Sequence, residues 1–196
     1  TLEFNTNQHL DIGYTSGNPG ALVAQGTAVN PVVFTSNKAA PAPGDWYGIY
    51  FYPTTDDATT ILDHSEVRYA GGNPGSGAVY VYGASPTITN SAILDSKNYD
   101  VYQYSGSPSI TNNIIHNGLY ERVIGLGQLS GNTFYYNNSF PIHIQSDDTV
   151  LLSDNNTFYD VDGGSYIEVV AGTISHDATW NVTALPYRML GTTRVQ

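Results

Sequence analysis

The sequence predicts an all-β protein: a right-handed parallel β-helix of about seven to eight coils, forming one domain over residues 1–196. Three observations carry the prediction. A short motif recurs at a spacing near 22 residues, three apolar columns run in step with it, and the segments between are turn-rich and too short for helices.

The motif is clearest where Ser85-Pro86-Thr87-Ile88-Thr89-Asn90-Ser91 returns as Ser107-Pro108-Ser109-Ile110-Thr111-Asn112-Asn113. Looser copies centre on Leu62, Leu129, Leu152 and Ile174, which sets anchors separated by 26, 22, 19, 23 and 22 residues. Five or six positions beyond each anchor comes a second column: Val67, Ile93, Ile115, Phe134, Phe158 and Trp180. A third holds Ile49, Val79, Val101, Val123, Ile142, Ile167 and Met189. Each repeat therefore carries three short strands. Such strands fit a coil that climbs one strand spacing, about 4.8 Å, per turn, with like residues stacked in register. A polar column at Ser65, Ser91, Asn113, Asn132, Asn155 and Asp177 reads as a ladder of turn side chains satisfying backbone groups.

Composition agrees and excludes several classes. Charged residues are 12% of the chain, about half the usual globular share. Only 6 are basic against 17 acidic, a net charge of −11, so no basic surface exists to track phosphates and nucleic acid is not an expected partner. No apolar run is long enough for a membrane-spanning helix. With no cysteine there is neither a disulfide scaffold nor a thiolate metal site. Thr, Ser, Asn, Gly and 16 Tyr dominate, a strand-and-turn vocabulary.

The pattern Ile-Thr-Asn-Ser/Asn-x-Ile followed by a short strand resembles the β-helix repeats of the pectate-lyase-like superfamily. The stretches Gly44-Asp45-Trp46-Tyr47-Gly48-Ile49 and Leu62-Asp63-His64-Ser65-Glu66-Val67-Arg68-Tyr69-Ala70-Gly71 are similar to β-helix regions of bacterial and archaeal cell-surface proteins. The resemblance covers about residues 20 to 195. It implies the fold, an extracellular or cell-surface location, and a function anywhere from lyase or hydrolase to structural surface protein.

The residues that could carry chemistry are dispersed. A glycoside hydrolase needs two carboxyls flanking one bond, yet Asp56-Asp57, Asp147-Asp148 and Asp160-Val161-Asp162 fall in turns of different coils. The lyase chemistry of this superfamily implies an Arg or Lys base with a cation, but the six basic residues are scattered, and neither a Gly-His-Gly nor an Arg-x-Pro-x-x-Arg run occurs. The five His never recur at metal-ligand spacing, and His64 and His176, though equivalent in the repeat, lie five coils apart. Asp154-Asn155-Asn156 and Asp160-Val161-Asp162-Gly163-Gly164 offer oxygen donors that Ca²⁺ accepts, without completing a loop motif, and no cofactor is expected. Sequons at Asn137, Asn155 and Asn181 mark surface positions for glycosylation, no more numerous than chance would place.

Two features point to contact surfaces. Period-two alternation in Ile49-Tyr50-Phe51-Tyr52, Val79-Tyr80-Val81-Tyr82 and Val101-Tyr102-Gln103-Tyr104 turns the aliphatic residues inward, with Gln103 as a polar exception. It sends two columns of Tyr outward, one continued by Arg122, His143 and Arg188. That stripe is a surface for another protein or for sugar rings, with Asp95 and Asp100 expected near a glycan groove. The second feature is that neither end shows a helical cap. Leu2, Phe4, Leu10 and Ile12 at one end, and Leu190 and Val195 at the other, are expected to meet a further coil, either of a longer protein or of another copy docked head to tail. The function expected is a non-enzymatic structural module of a secreted or cell-surface protein that self-assembles end to end into a filament. The alternative is a carbohydrate-active β-helix.

Overall fold

In the computed structural model, which describes residues 1–122, 125, 127–136, 140–160, 166–182 and 184–196, the chain winds as a parallel β-helix. Three parallel sheets wall one apolar core: one of seven strands from Leu2–Phe4 to Thr157–Asp160, one of eight from His9–Ile12 to Tyr187–Met189, and one of five from Val23–Gln25 to Gln128–Ser130. Successive strands visit the five-, seven- and eight-stranded sheets in turn, then return one rung higher. A further parallel pair of strands, Gly172–Ile174 and Thr193–Val195, lies towards the C-terminus. The short 3-10 helix Ser146–Leu151 forms the connection from the eight-stranded sheet to the next rung of the five-stranded one, where Leu152 continues the pairing by a bridge to Leu129. Among the described residues no helix is long and apolar enough to cross a membrane.

The stacking is in register because each coil's apolar residue seats on its equivalent below. Ala24, Leu62, Ile88, Ile110 and Leu129 pair directly along the five-stranded sheet and are all buried. In the seven-stranded sheet Leu2, Phe34, Val67, Ile93, Ile115, Phe134 and Phe158 form the second column. Trp180 does not belong to it. It lies outside any strand, and its ring packs 4.7 Å from that of Tyr187. The third column runs Leu10, Ile49, Val79, Val101, Leu119 and Ile142, with Ile167 opposite Tyr187. Leu119 therefore takes the rung expected for Val123, which lies outside the described residues, and Tyr187 the one expected for Met189, which is 40% exposed and pairs with Val169. The reason is turn length. Only three residues separate Ile115 from Leu119, whereas seven separate Ile93 from Val101.

The polar ladder is a chain of bonds parallel to the coil axis. The Ser65 amide donates to Ser91 Oγ (3.0 Å), the Ser91 amide to Asn113 Oδ1 (2.9 Å), the Asn113 amide to Asn132 Oδ1 (3.0 Å) and the Asn132 amide to Asn156 Oδ1 (2.9 Å). Each Asn also donates through Nδ2 to an anchor carbonyl: Asn113 to Ile88, Asn132 to Ile110 and Asn156 to Leu129. These side chains are buried, so the ladder satisfies groups that water cannot reach. Its fifth member is Asn156 rather than Asn155, which is exposed on the turn and accepts the Gly131 amide (2.8 Å). Asp177 is exposed outside any strand and takes no part.

Just before the first four ladder residues the chain turns sharply. His64, Asn90, Asn112 and Gly131 adopt positive φ of 47°, 48°, 57° and 68°, the left-handed region that Asn and Gly tolerate best.

Candidate functional site: the aromatic face

The outer face of the eight-stranded sheet carries the Tyr columns. Strand register stacks Asp11, Tyr50, Tyr80, Tyr102, Tyr120 and His143, then Glu168 and Arg188. From His9, which stacks on Tyr50 at 5.2 Å, ring centroids follow at 5.2, 5.6, 4.9 and 4.2 Å up to His143. Aromatic pairs at such spacings contribute about 0.5–1.5 kcal/mol each beyond their buried area. Tyr120, not Arg122, continues this inner column, for the same short turn that brings Leu119 inward.

Arg122 belongs to the second column. Tyr14 packs edge-on against Tyr52 (4.9 Å), Tyr52 against Tyr82 (6.3 Å) and Tyr82 against Tyr104 (5.2 Å), and the Arg122 guanidinium lies 4.7 Å above the Tyr104 ring. A bulge shapes this column: Tyr82 pairs with Ser105, leaving Tyr104 as the extra residue. Gln103 points inward as expected, fully buried, with Nε2 donating to the Gly106 carbonyl (2.8 Å).

The two columns differ in exposure. Tyr50 is 4% and Tyr102 6% exposed, while Tyr82 is 40% exposed. The turn at residues 73–76 covers Tyr50, whose hydroxyl lies 3.1 Å from Ser76 Oγ and accepts from Asn73 Nδ2 (3.2 Å). Tyr99 flanks Tyr102 and Tyr120, with Phe140 beyond it. The expected exposed stripe is thus corrected for Tyr50, which packs under that turn, and for Tyr102, which is buried among Tyr80, Tyr99 and Tyr120. Burial raises the pKa of Tyr50, Tyr80, Tyr99 and Tyr120, and pushes Tyr52 up to about 12 with the Asp11 carboxylate adding to the effect, so these rings stay neutral phenols. Beside them opens a groove of about 400 Å³ lined by Tyr50, Tyr52, Tyr80, Tyr82 and residues 73–76.

At the other end of the inner column His143 Nδ1 lies 2.9 Å from Glu168 Oε2, both largely covered. Arg188 donates to the Tyr166 hydroxyl and lies over its ring at 4.6 Å.

The carboxylates named from the sequence sit elsewhere. Asp100 is fully buried, not in a groove. Its Oδ2 accepts the His116 and Asn117 amides and so holds the next coil's turn, while burial raises its pKa to about 7. Asp95 is a left-handed turn residue with φ 55°. Asp57 accepts the Ser85 amide, Asp147 the Ser175 amide and hydroxyl, and Asp56 the Thr59 hydroxyl. Among the described residues no three His, Cys, Asp or Glu are grouped to hold a metal ion. In the Asp154-Asn155-Asn156 turn Asn156 Oδ1 accepts the Asn132 amide and Asn155 Oδ1 the Gly131 amide. The stretch Val161-Asp162-Gly163-Gly164 lies outside the described residues, as does Asn137, whereas Asn155 and Asn181 are exposed.

Of the expected end contacts, Leu2 (42%), Leu190 (48%) and Val195 (70%) are exposed. Phe4 and Ile12 are not free for that role: Phe4 stacks on Trp46 at 4.2 Å, and Ile12 is 5% exposed in the core. Leu10 packs partly against the core.

His9, Tyr99, Tyr120 and Glu168 were not singled out from the sequence. Leu119-Tyr120 repeats the aliphatic-Tyr alternation of the earlier coils and was the available signal for Tyr120. The others are placed by turns and by cross-coil register.

Neither the comparison with curated proteins nor that with solved structures gives a significant match. The family model described as a right handed beta helix region matches residues 77–181, more than half of a chain already seen to coil through parallel sheets, and the protein therefore belongs to the right-handed β-helix family.

Proposed function

We propose that this chain is a non-enzymatic structural module of a secreted or cell-surface protein, and that its working surface is the aromatic face of the eight-stranded sheet. The observation that carries the reading is the continuous stacking of that face, in which the inner ring column holds the buried Tyr50 and Tyr102 while the outer one leaves Tyr14 and Tyr82 exposed. The carboxylates that hydrolysis would recruit are committed to turn amides and hydroxyls on separate coils. Outermost strands such as Leu2–Phe4 and Tyr187–Met189 present edges to which a further coil, of a longer polypeptide or of a second copy, could add. Electron microscopy of the purified chain over a range of salt and concentration tests the end-to-end element. Filaments are expected, and dispersed monomers throughout would remove it.

A second reading, carbohydrate binding or turnover, is favoured by the Tyr-lined groove. Incubation with a panel of polysaccharides followed by reducing-sugar and unsaturated-product assays separates the two. No turnover is expected. Turnover lost on Tyr80→Ala would replace the structural reading with the enzymatic one.

A further inference from the structure

Resting on the reading of this face as a contact surface, we propose that the groove between Tyr52 and Tyr82 receives a cationic side chain presented by an arginine-rich segment of a partner protein. Three observations support this occupant.

The first is that the same face already uses its rings this way within the chain. Arg122 covers Tyr104 at 4.7 Å, and Arg188 covers Tyr166 at 4.6 Å. Tyr104 neighbours Tyr82 in one column. One rung below that capped ring the column opens into the groove, and no cationic side chain lines it.

The second is the orientation of the rings. A sugar stacks on a platform of roughly coplanar faces. Here Tyr52 and Tyr82 stand at 89° to one another, Tyr82 and Tyr104 at 81°, and Tyr50 and Tyr80 at 55°. Rings set as walls enclose a point charge with their electron-rich faces.

The third is charge. Asp11 sits in register beside Tyr50, and its carboxylate acts on both Tyr50 and Tyr52. The whole chain carries −11 and so attracts a basic partner before contact.

The test is fluorescence-anisotropy titration, at about physiological salt, with a labelled peptide carrying three arginines spaced by Gly-Ser, and with the same peptide in which citrulline replaces arginine. The arginine peptide is expected to bind at least tenfold more tightly. Each of the two rings, Tyr52 partly and Tyr82 well exposed, contributes about 0.5–1 kcal/mol, roughly two- to fivefold, so Tyr52→Leu with Tyr82→Leu weakens binding about tenfold, whereas the two Phe substitutions keep it within about twofold. Tyr135→Leu, on the seven-stranded sheet, leaves it unchanged. Equal binding of the two peptides overturns the proposal by showing that the cation is not recognised, and an equal loss with Tyr135→Leu overturns it by showing that the groove is not where the peptide binds. Melting curves check that the Leu variants fold, and Tyr82→Leu alone substitutes if the pair does not. A neutral oligosaccharide that binds the wild type but not the Leu variants overturns the cationic occupant and leaves the face a contact surface. Cleavage of that oligosaccharide overturns the structural reading itself.

Discussion

Replacing Asn132 by Ala interrupts the polar ladder at its most connected point. Asn132 is fully buried. Its Oδ1 accepts the Asn113 amide (3.0 Å) and Asn113 Nδ2 (3.2 Å), and its Nδ2 donates to the Ile110 carbonyl (2.9 Å) and Asn156 Oδ1 (3.1 Å). After truncation Asn113 Nδ2 keeps the Ile88 carbonyl, and Asn156 Oδ1 keeps the Asn132 amide. The Asn113 amide and the Ile110 carbonyl each lose their side-chain partner in a site that water does not enter. At about 1–3 kcal/mol for each buried group left unsatisfied, the expected loss is about 2–5 kcal/mol. In a chain of this size that lowers Tm by roughly 5–15 °C. Asn155→Ala is the matched control: that side chain is exposed, holds one amide, and should cost below about 1 kcal/mol. Urea and thermal unfolding followed by circular dichroism measure both. A loss under about 0.5 kcal/mol for Asn132→Ala, or equal losses at both positions, would refute the ladder as a source of stability. Asn132→Asp adds a sharper test, because its second oxygen would face the Ile110 carbonyl and Asn156 Oδ1. Its deficit should shrink as pH falls and the carboxyl protonates.

Three other expectations follow from the packing. Asp100 has a folded pKa near 7 against an ordinary 3.8, so its folded state binds the extra proton and stability falls as pH rises from about 4 through 7. Asp100→Asn keeps an acceptor for the two amides and should gain stability relative to wild type across that window, on the order of 4 kcal/mol at most; an advantage independent of pH in denaturant melts would contradict this. Gly48→Ala places a Cβ 2.2 Å from the Ala78 carbonyl oxygen at φ +134°, whereas Gly75→Ala at φ +76° meets nothing within 4 Å. The first should cost more than about 3 kcal/mol and the second about 1 kcal/mol in the same melts. Tyr102→Ala removes a buried ring in contact with Tyr80, Tyr99 and Tyr120 and should cost about 3–5 kcal/mol, against about 1–2 kcal/mol for the more exposed Tyr82→Ala, which loses its edge contacts with Tyr52 and Tyr104.

The fold was legible in the sequence because a stacked coil repeats one chemical requirement at every rung. An apolar residue must sit on its equivalent, and a small polar side chain must reach the next amide. Leu62, Ile88, Ile110 and Leu129 meet the first demand, and Ser91, Asn113 and Asn132 the second, at spacings a reader can align. The low charge has the same origin, since like charges stacked in register would repel. Strand pairing, by contrast, places no constraint on turn length. A turn four residues shorter moved Leu119 and Tyr120 into rungs expected for Val123 and Arg122, and adjacent Asn155 and Asn156 could be told apart only by which one faces inward. Nor does alternation state what covers an outward side chain. Tyr50 and Tyr82 follow the same pattern, yet the turn at residues 73–76 folds over the first and leaves the second open. The repeat alone thus determined the coil and, away from the short turn and the C-terminal coils, its core and its ladder. The groove, the buried Asp100 and the angles between the rings were decided by turns packing across coils, contacts that no local periodicity encodes.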